Sequence, residues 1–279
     1  MPAPQAKAMQ QLARLKFMSF NLKVPQNWKD PQGDPEAQQY SDAFKPSEKM
    51  TMPGMPPLFQ PATMNKYHVD AQKMHIAKIG KFLDDTMSAI ASAWGQWQSM
   101  AAMSGILING PTASLGEVIG PPLAPLILMT APKNTPNELK FTNVIAQVIG
   151  EAWLTFTGTI KVPGLPWYPA FAALPSPVAP PTPNVVAPFA LLTQVATSIS
   201  SMAMKTQMIQ RFADSQVPFH KELFESITDA FEKTYYAWMA STTVTNVLGT
   251  GPVPTFAPPY VPVGPVVAGV GTMPPGGFV

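Results

Sequence analysis

Apolar residues recur at three- and four-residue steps in five segments of the chain, and proline-dense stretches separate them. Residues 6–20 carry Met9, Leu12, Leu15 and Met18 and predict a short helix with one apolar stripe. Over 65–103, interrupted only by Gly80 and Gly95, the residues Ile76, Ile79, Phe82, Leu83, Met87, Ile90, Trp94 and Trp97 fall on one helical face, which has to be buried. Asn134-Thr135-Pro136-Asn137-Glu138 reads as a capped helix start with Pro136 at the first helical position, and the helix it opens ends in Trp153 and Phe156. Leu191, Leu192, Val195, Ile199, Met202, Met208 and Ile209 predict another helix over 187–212, with no charge before Lys205 and therefore expected to be surrounded by protein. Ser215-Gln216-Val217-Pro218 ends it, and a last helix is expected over 219–241.

Between these segments the chain turns to proline. Pro25, Pro31, Pro35, Pro46, Pro53, Pro56, Pro57 and Pro61 exclude helix over 24–63 and make poor sheet, which leaves an arm that is either disordered or laid along a partner. The apolar Pro53-Gly54-Met55-Pro56-Pro57-Leu58-Phe59 favours the partner. The tail from 247 to 279, with eight prolines and seven glycines in 33 residues, reads as another arm, in which Gly249-Thr250-Gly251 and Gly269-Val270-Gly271 are turns. Neither glycine pair is followed by the Gly-Lys-Ser/Thr of a phosphate loop.

Three helices align on their terminal aromatics. Phe82, Ile90, Trp94 and Trp97 stand at the same offsets as Phe141, Ile149, Trp153 and Phe156, and as Leu223, Phe231, Tyr235 and Trp238. Such spacing puts each set of four on one face, so these twelve are the expected core. Gly110-Pro111 and Gly251-Pro252 follow their last aromatic at the same distance, and proline pairs close the units at Pro121-Pro122, Pro180-Pro181 and Pro258-Pro259. The expected fold is mainly α, amphipathic helices packed together with long Pro/Gly-rich extended arms in three internal helix-plus-arm units. The corresponding division is an N-terminal helix and arm (1–64), a first unit (65–132), a second unit (133–186), an apolar connecting helix (187–216) and a third unit with its C-terminal arm (217–279).

Composition sharpens this picture. In 279 residues, 46% hydrophobic content is enough for a core, but 12% charged residues is about half the usual share, so much of the surface is expected to face protein. A net charge of +2 with no basic run gives no footprint for nucleic acid. The absence of cysteine excludes disulfides and thiolate chemistry, and the 17 methionines supply adaptable apolar filling. The first residues have no apolar signal core, and no stretch of roughly 18 uninterrupted apolar residues spans a membrane.

Candidate chemistry is sparse. His68 and His75 are seven residues apart, about 10 Å along a helix and too far to share an ion unaided, while His220 at a helix start is expected to cap or face solvent. Asp84 and Asp85 point to different faces, and Glu151 beside Trp153 would have a raised pKa if buried but has no recognisable base or nucleophile nearby. The expectation is a protein that is not an enzyme and that has no catalytic, cofactor or metal residues. PxxP spacing at Pro177–Pro180 and Pro180–Pro183 is what 34 prolines give by chance. Trp167, Tyr168 and Phe171, together with Phe59, Phe256 and Tyr260, are the expected interface anchors.

The stretch from Val162 to Asn184, with Leu-Pro-Trp-Tyr-Pro-Ala-Phe and Ala-Pro-Pro-Thr-Pro-Asn, resembles structural proteins of tailed bacteriophages and related contractile injection machines. That resemblance implies a non-enzymatic particle component, in a tail, baseplate, head or connector, that holds neighbouring subunits through its arms. The implied partners are copies of itself and other structural proteins, with membrane contact only during delivery, and the implied location is a virion or extracellular particle assembled in the host cytoplasm. The competing expectations are a membrane-active delivery or pore-forming protein, and an adaptor displaying PxxP ligands.

Overall fold

Three long helices run almost directly into strands, and there the protein departs from a helical bundle with loose arms. The structure, a computed structural model, describes residues 3–22, 61–169, 177–215, 217–254, 256–257, 261–262 and 264–279. The chain divides into two units, Met1–Phe20 with Leu83–Val279, and Asn21–Phe82. In the second unit the described part is helical, the beginning of α2 (Pro61–Met100). The extended arm expected over 24–63 lies outside the described residues, apart from Pro61 to Thr63, which already belong to α2.

In the first unit α1 (Ala6–Ser19) buries Met9, Ala13 and Phe17, an i, i+4, i+8 stripe. Leu15 and Met18, expected on the buried stripe, are 67% and 69% exposed. Helix α3 (Leu123–Thr130) leads to α4 (Pro136–Gly158), whose start is a complete capping box: the Thr135 hydroxyl accepts from the Glu138 amide at 3.1 Å and the Glu138 carboxylate accepts from the Thr135 amide. Replacing Thr135 by Ala should cost about 1 kcal/mol and lower Tm by about 2–4 °C, read by thermal melting. The region expected to be one helix over 187–212 is instead β5 (Ala187–Pro188), two 3₁₀ turns (Phe189–Leu191 and Thr197–Ile199) and α5 (Ser201–Phe212). Pro188 holds the residue before it extended, and Lys161 and Thr193 pair in a β-bridge, so the helical period is overridden there. Helix α6 (His220–Ser241) packs against α1 and α5.

Glu225 on α6 joins these helices by accepting from Lys16 at 2.8 Å and from Lys205 at 2.5 Å. The hydrogen bonds from Lys16 and then Lys205 hold its carboxyl below the ordinary carboxylate range. A depressed folded pKa gives stability that is present above the unfolded Glu value, about 4.3, and lost as pH falls through the folded value. Hydrogen-exchange protection factors of the α1 amides, corrected for the intrinsic rate at each pH, are therefore expected to fall below about pH 4, and Glu225→Gln should remove that acid dependence. Because the pairs are part-exposed, the effect is on the order of 0.5 kcal/mol per pair.

The mainly helical expectation is wrong: the fold is mixed α/β, with a six-stranded antiparallel sheet in the order β3-β2-β1-β10-β7-β4. Its strands are β1 (Ala102–Asn109), β2 (Thr112–Ile119), β3 (Val162–Leu165), β4 (Val178–Thr182), β7 (Leu248–Pro252) and β10 (Gly269–Met273). Smaller two-stranded pairings join β5 to β6 (Thr243–Val244) and β8 (Phe256–Ala257) to β9 (Val261–Pro262). Proline cannot donate to a ladder and is tolerated in edge strands. The proline-rich strands β3 and β4 are the two edges, and in β4 the register skips between Ala179 and Thr182, around Pro180 and Pro181. The expected arms over 162–184 and 247–279 thus contain strands of the sheet, and the two glycine triplets expected to be turns lie within β7 and at the start of β10.

The aligned aromatics do converge. Trp94 and Trp97 of α2, Trp153 of α4 and Trp238 of α6 meet at ring centroid distances of 4.7 Å (Trp94–Trp153), 4.8 Å (Trp97–Trp153) and 5.8 Å (Trp153–Trp238). Ile90, Ile149, Phe156, Leu223, Phe231 and Tyr235 are buried with them, Phe82 is 9% exposed, and Phe141 is half-buried against Phe212. Ile76, expected on the buried stripe of α2, is 37% exposed. The matching dipeptides have unlike roles, so three equivalent helix-plus-arm units are not present. Gly110-Pro111 is the two-residue turn of the β1–β2 hairpin, with Gly110 at φ +59° as a type II′ turn requires, whereas Gly251-Pro252 lies within β7. Pro121-Pro122 leads into α3, Pro180-Pro181 lies in β4, and Pro258-Pro259 lies outside the described residues.

Candidate functional site

Charge is distributed very unevenly along the chain. Residues 86–132 hold one charged side chain, Glu117, and residues 162–204 and 234–279 hold none; these stretches contain every strand of the large sheet. Charged residues cluster instead on the helices, as in Arg14–Asp84, Lys140–Asp214 and Arg211–Glu151. Glu151 is exposed, and its hydrogen bond to Arg211 lowers its pKa, which corrects the raised value that burial would have given.

One face of the sheet is closed by the chain itself. Met103, Ile106, Ile108, Ala113, Val118, Gly249, Gly251, Gly269, Gly271 and Met273 point to this buried side. Tyr168 lies over it: a Cβ added at Gly249 would sit 2.7 Å from the Tyr168 ring, and the Tyr168 hydroxyl donates to the Val247 carbonyl at 3.0 Å. Burial raises the Tyr168 pKa. Trp167 and Tyr168 are 2% and 3% exposed, so they anchor the segment after β3 to this chain's own sheet and are not available to another chain. Of the other expected interface residues, Phe59, Phe171 and Tyr260 lie outside the described residues, and of Phe256 only the backbone is described.

Among the described residues the opposite face is the more exposed one. Cross-strand pairing sets Ser114, Leu107, Val270 and Thr250 in one row across four strands, and Thr272 beside Leu248 in the next. Val270 is 55% exposed, and the charge on these strands is confined to Glu117. Hydroxyl, Val and Leu side chains thus make a mixed surface whose one charge is Glu117, exposed between the buried Gly116 and Val118.

A cleft of about 160 Å³ opens beside the end of β2, lined by Trp97, Ile119, Gly120, Pro122, Trp153 and Leu154 among others. Gly120 is required there, since a Cβ would fall 2.3 Å from the Trp97 indole nitrogen. Trp153 is 1% exposed, and its indole N–H has no hydrogen-bond partner, while the Trp238 indole donates to Gln98 at 2.9 Å. Leu154 and Ile119 at the rim are 66% and 52% exposed.

A wider, shallow hollow of about 530 Å³ holds Asp85, Ser88, Ser92, Lys133 and Asn134, with Ser88 accepting from Gln10 and Lys133 donating to the Leu128 carbonyl. No histidine lines it, and Asp85 is its one carboxylate. His220 is 7% exposed, its Nδ1 is 2.6 Å from the Val217 carbonyl, and its ring stacks on Phe212; it is buried rather than solvent-facing. The side chains of His68 and His75 are outside those described. Among the described residues no group of three or more His, Cys, Asp or Glu could hold a metal ion, and no helix is long and apolar enough to cross a membrane.

No protein family matches the chain, and neither does any characterised protein or solved structure. The exposed sheet face therefore carries the functional argument by itself. Sequence periodicity does not reveal it, but the long charge-free stretches point directly to the elements that build it.

Proposed function

We propose that the chain is a non-enzymatic structural subunit of a multi-copy particle, such as a phage virion or contractile injection machine, packing against copies of itself through its nearly uncharged sheet. The observation that carries this reading is the segregation of charge: the strands have one charged residue between them, on a sheet with one face more exposed than the other. A face whose one charge is Glu117 packs against an identical one with little like-charge repulsion and little cost of stripping water from ions. Sheet-edge growth is disfavoured by the prolines of β3 and β4, so contact through the face replaces the arms expected from the sequence. The resemblance of Val162–Asn184 to phage structural proteins agrees in direction.

Sedimentation velocity on the full chain tests this. The expected result is concentration-dependent association of the native chain, reduced by Val270→Lys with an unchanged melting temperature, since Val270 is largely exposed. A native chain that stays monomeric at every concentration, or Val270→Lys associating like the native chain, would sink the idea. Dye release from neutral lipid vesicles by the native chain would favour the membrane-active alternative.

A further inference from the structure

The exposed sheet face is small for a stable assembly. Six strands spaced about 4.8 Å apart and five residues long at about 3.3 Å present roughly 400 Å², near half of the ~800 Å² per partner of a standard interface. Ordered packing of copies therefore calls for a second contact, and α1 has the features to supply it.

Helix α1 is held entirely by residues far from it in sequence. It buries Met9, Ala13 and Phe17 and packs against α6, where Lys16 pairs with Glu225 at 2.8 Å. Toward α2, the Gln10 amide donates to the Ser88 hydroxyl at 2.8 Å and to the Asp84 carbonyl at 3.2 Å, and Arg14 pairs with the Asp84 carboxylate. Just before the helix, Ala3 rests on α2: a Cβ at Gly95 would lie 3.3 Å from the Ala3 Cβ. The residues that receive α1 thus lie within Leu83–Val279, and the chain between, Asn21–Phe82, forms the other unit.

Identical copies carry identical grooves, so every contact that seats α1 on its own chain exists on a neighbour as well. Only the tether tells the two apart. The connection from Leu22 to Pro61 can span on the order of 100 Å, more than the diameter of a unit of this size. A tether of that length presents α1 to its own groove at no more than about millimolar effective concentration, and copies held face to face in a particle meet each other's grooves at that level or above.

A second observation places α1 where copies meet. Leu15 and Met18, three residues apart on its outward side, are 67% and 69% exposed, so the helix is apolar on two sides and its own chain covers one. Seated on a neighbour, α1 lies between the chain that donates it and the chain that receives it, which covers both.

We infer that α1 is exchanged between copies in the assembled protein, each α1 occupying the α2–α6 groove of a neighbour. This deepens the assembly reading and rests on it. Replacing one helix by an identical one sacrifices no native contact, which makes such swapping an accessible way to join copies.

The absence of cysteine allows a direct test on the full chain by disulfide trapping. Ala3→Cys with Gly95→Cys sets two thiols on Cβ atoms 3.3 Å apart, near the ~3.8 Å of a disulfide. The double variant is oxidised at a concentration where sedimentation velocity shows association, and the products are separated in denaturant without reductant. Covalent dimers and longer chains are the expected main product. An equimolar mixture of the two single variants, diluted and reconcentrated together, is expected to give more covalent dimer than either variant alone. Disulfide-closed single chains from associated protein mean that α1 stays on its own chain, and thiols left free mean that it does not seat on Gly95; each overturns the inference, and the sheet-face reading stands. In a Val270→Lys background the double variant is expected to close within single chains; dimers persisting there keep the exchange and sink the sheet face. If the native chain does not associate at any concentration, both fall.

Discussion

Trp153→Ala is expected to destabilise the first unit by about 3–5 kcal/mol, a drop in Tm of about 10–15 °C, where Leu154→Ala next to it changes stability by no more than about 0.5 kcal/mol. The two residues are neighbours in sequence and opposites in environment: Trp153 is 1% exposed and Leu154 is 66% exposed. The Trp153 ring contacts Trp94, Trp97, Phe156, Trp238 and Phe231, so it is shared by all three long helices, and truncation leaves a cavity that none of them can close alone. The sharper comparison is between two tryptophan-to-phenylalanine changes. Trp153→Phe keeps a ring and discards a buried N–H that has no partner, so part of its packing loss is offset. Trp238→Phe removes the donor to Gln98, whose own amide holds the Phe278 carbonyl at 3.1 Å. Thermal melts should therefore rank Trp238→Phe below Trp153→Phe by about 1–3 kcal/mol. Equal melting temperatures would mean that the Gln98 bond contributes nothing net.

The helices and the aromatic centre were legible because their side chains carry the period. Trp94, Trp97, Trp153, Phe156, Tyr235 and Trp238 sit at helical offsets, and Thr135-Pro136 opens α4 with the residues a helix start demands. The sheet was not legible because its signal is inverted. In β10 the inward positions are Gly269, Gly271 and Met273 and the outward ones are Val270 and Thr272, so Val270 faces out and two of the three buried residues register as turn formers. In β3 and β4 the prolines argue against any strand unless the strand is at an edge, and edge position is a property of the whole sheet that local sequence does not carry. Trp167 and Tyr168 were misread for a linked reason. Aromatics among prolines look like exposed anchors, but here the flat glycine face of β7 and β10 makes room for Tyr168 on the inside. The period-two glycines at 249, 251, 269 and 271 were the available clue, since strands bare on one face need an aromatic from elsewhere to fill the space.

That clue also ranks the cost of changing each glycine. A Cβ at Gly251 would lie 2.4 Å from the Gly269 Cα and 2.7 Å from Val266, and since the nearer contact is backbone in a paired strand, no rotamer change relieves it. Strands β7 and β10 would have to separate, and that separation would pull Val266 and the β1 pairing with them. Gly251→Ala is expected to cost about 3 kcal/mol or more, at or beyond the upper end of ordinary overpacking. At Gly249 the obstructing atoms are the end of Ile108 and the Tyr168 ring, both side chains, so Gly249→Ala should fall nearer 1–2 kcal/mol while displacing Tyr168 from the Val247 carbonyl. Gly164, with nothing closer than 3.9 Å but φ at +89°, separates strain from crowding: Gly164→Ala should cost only the left-handed conformation, about 1–2 kcal/mol. Denaturant midpoints for the three variants at constant m-value decide the order, and Gly251→Ala unfolding with the native midpoint would mean that β7 and β10 are not paired in this register. The proposed open face depends on that pairing, because Val270 is set beside Thr250 by the same ladder that brings Gly251 against Gly269. Gly251→Ala should therefore lose association together with stability, whereas Val270→Lys loses association alone.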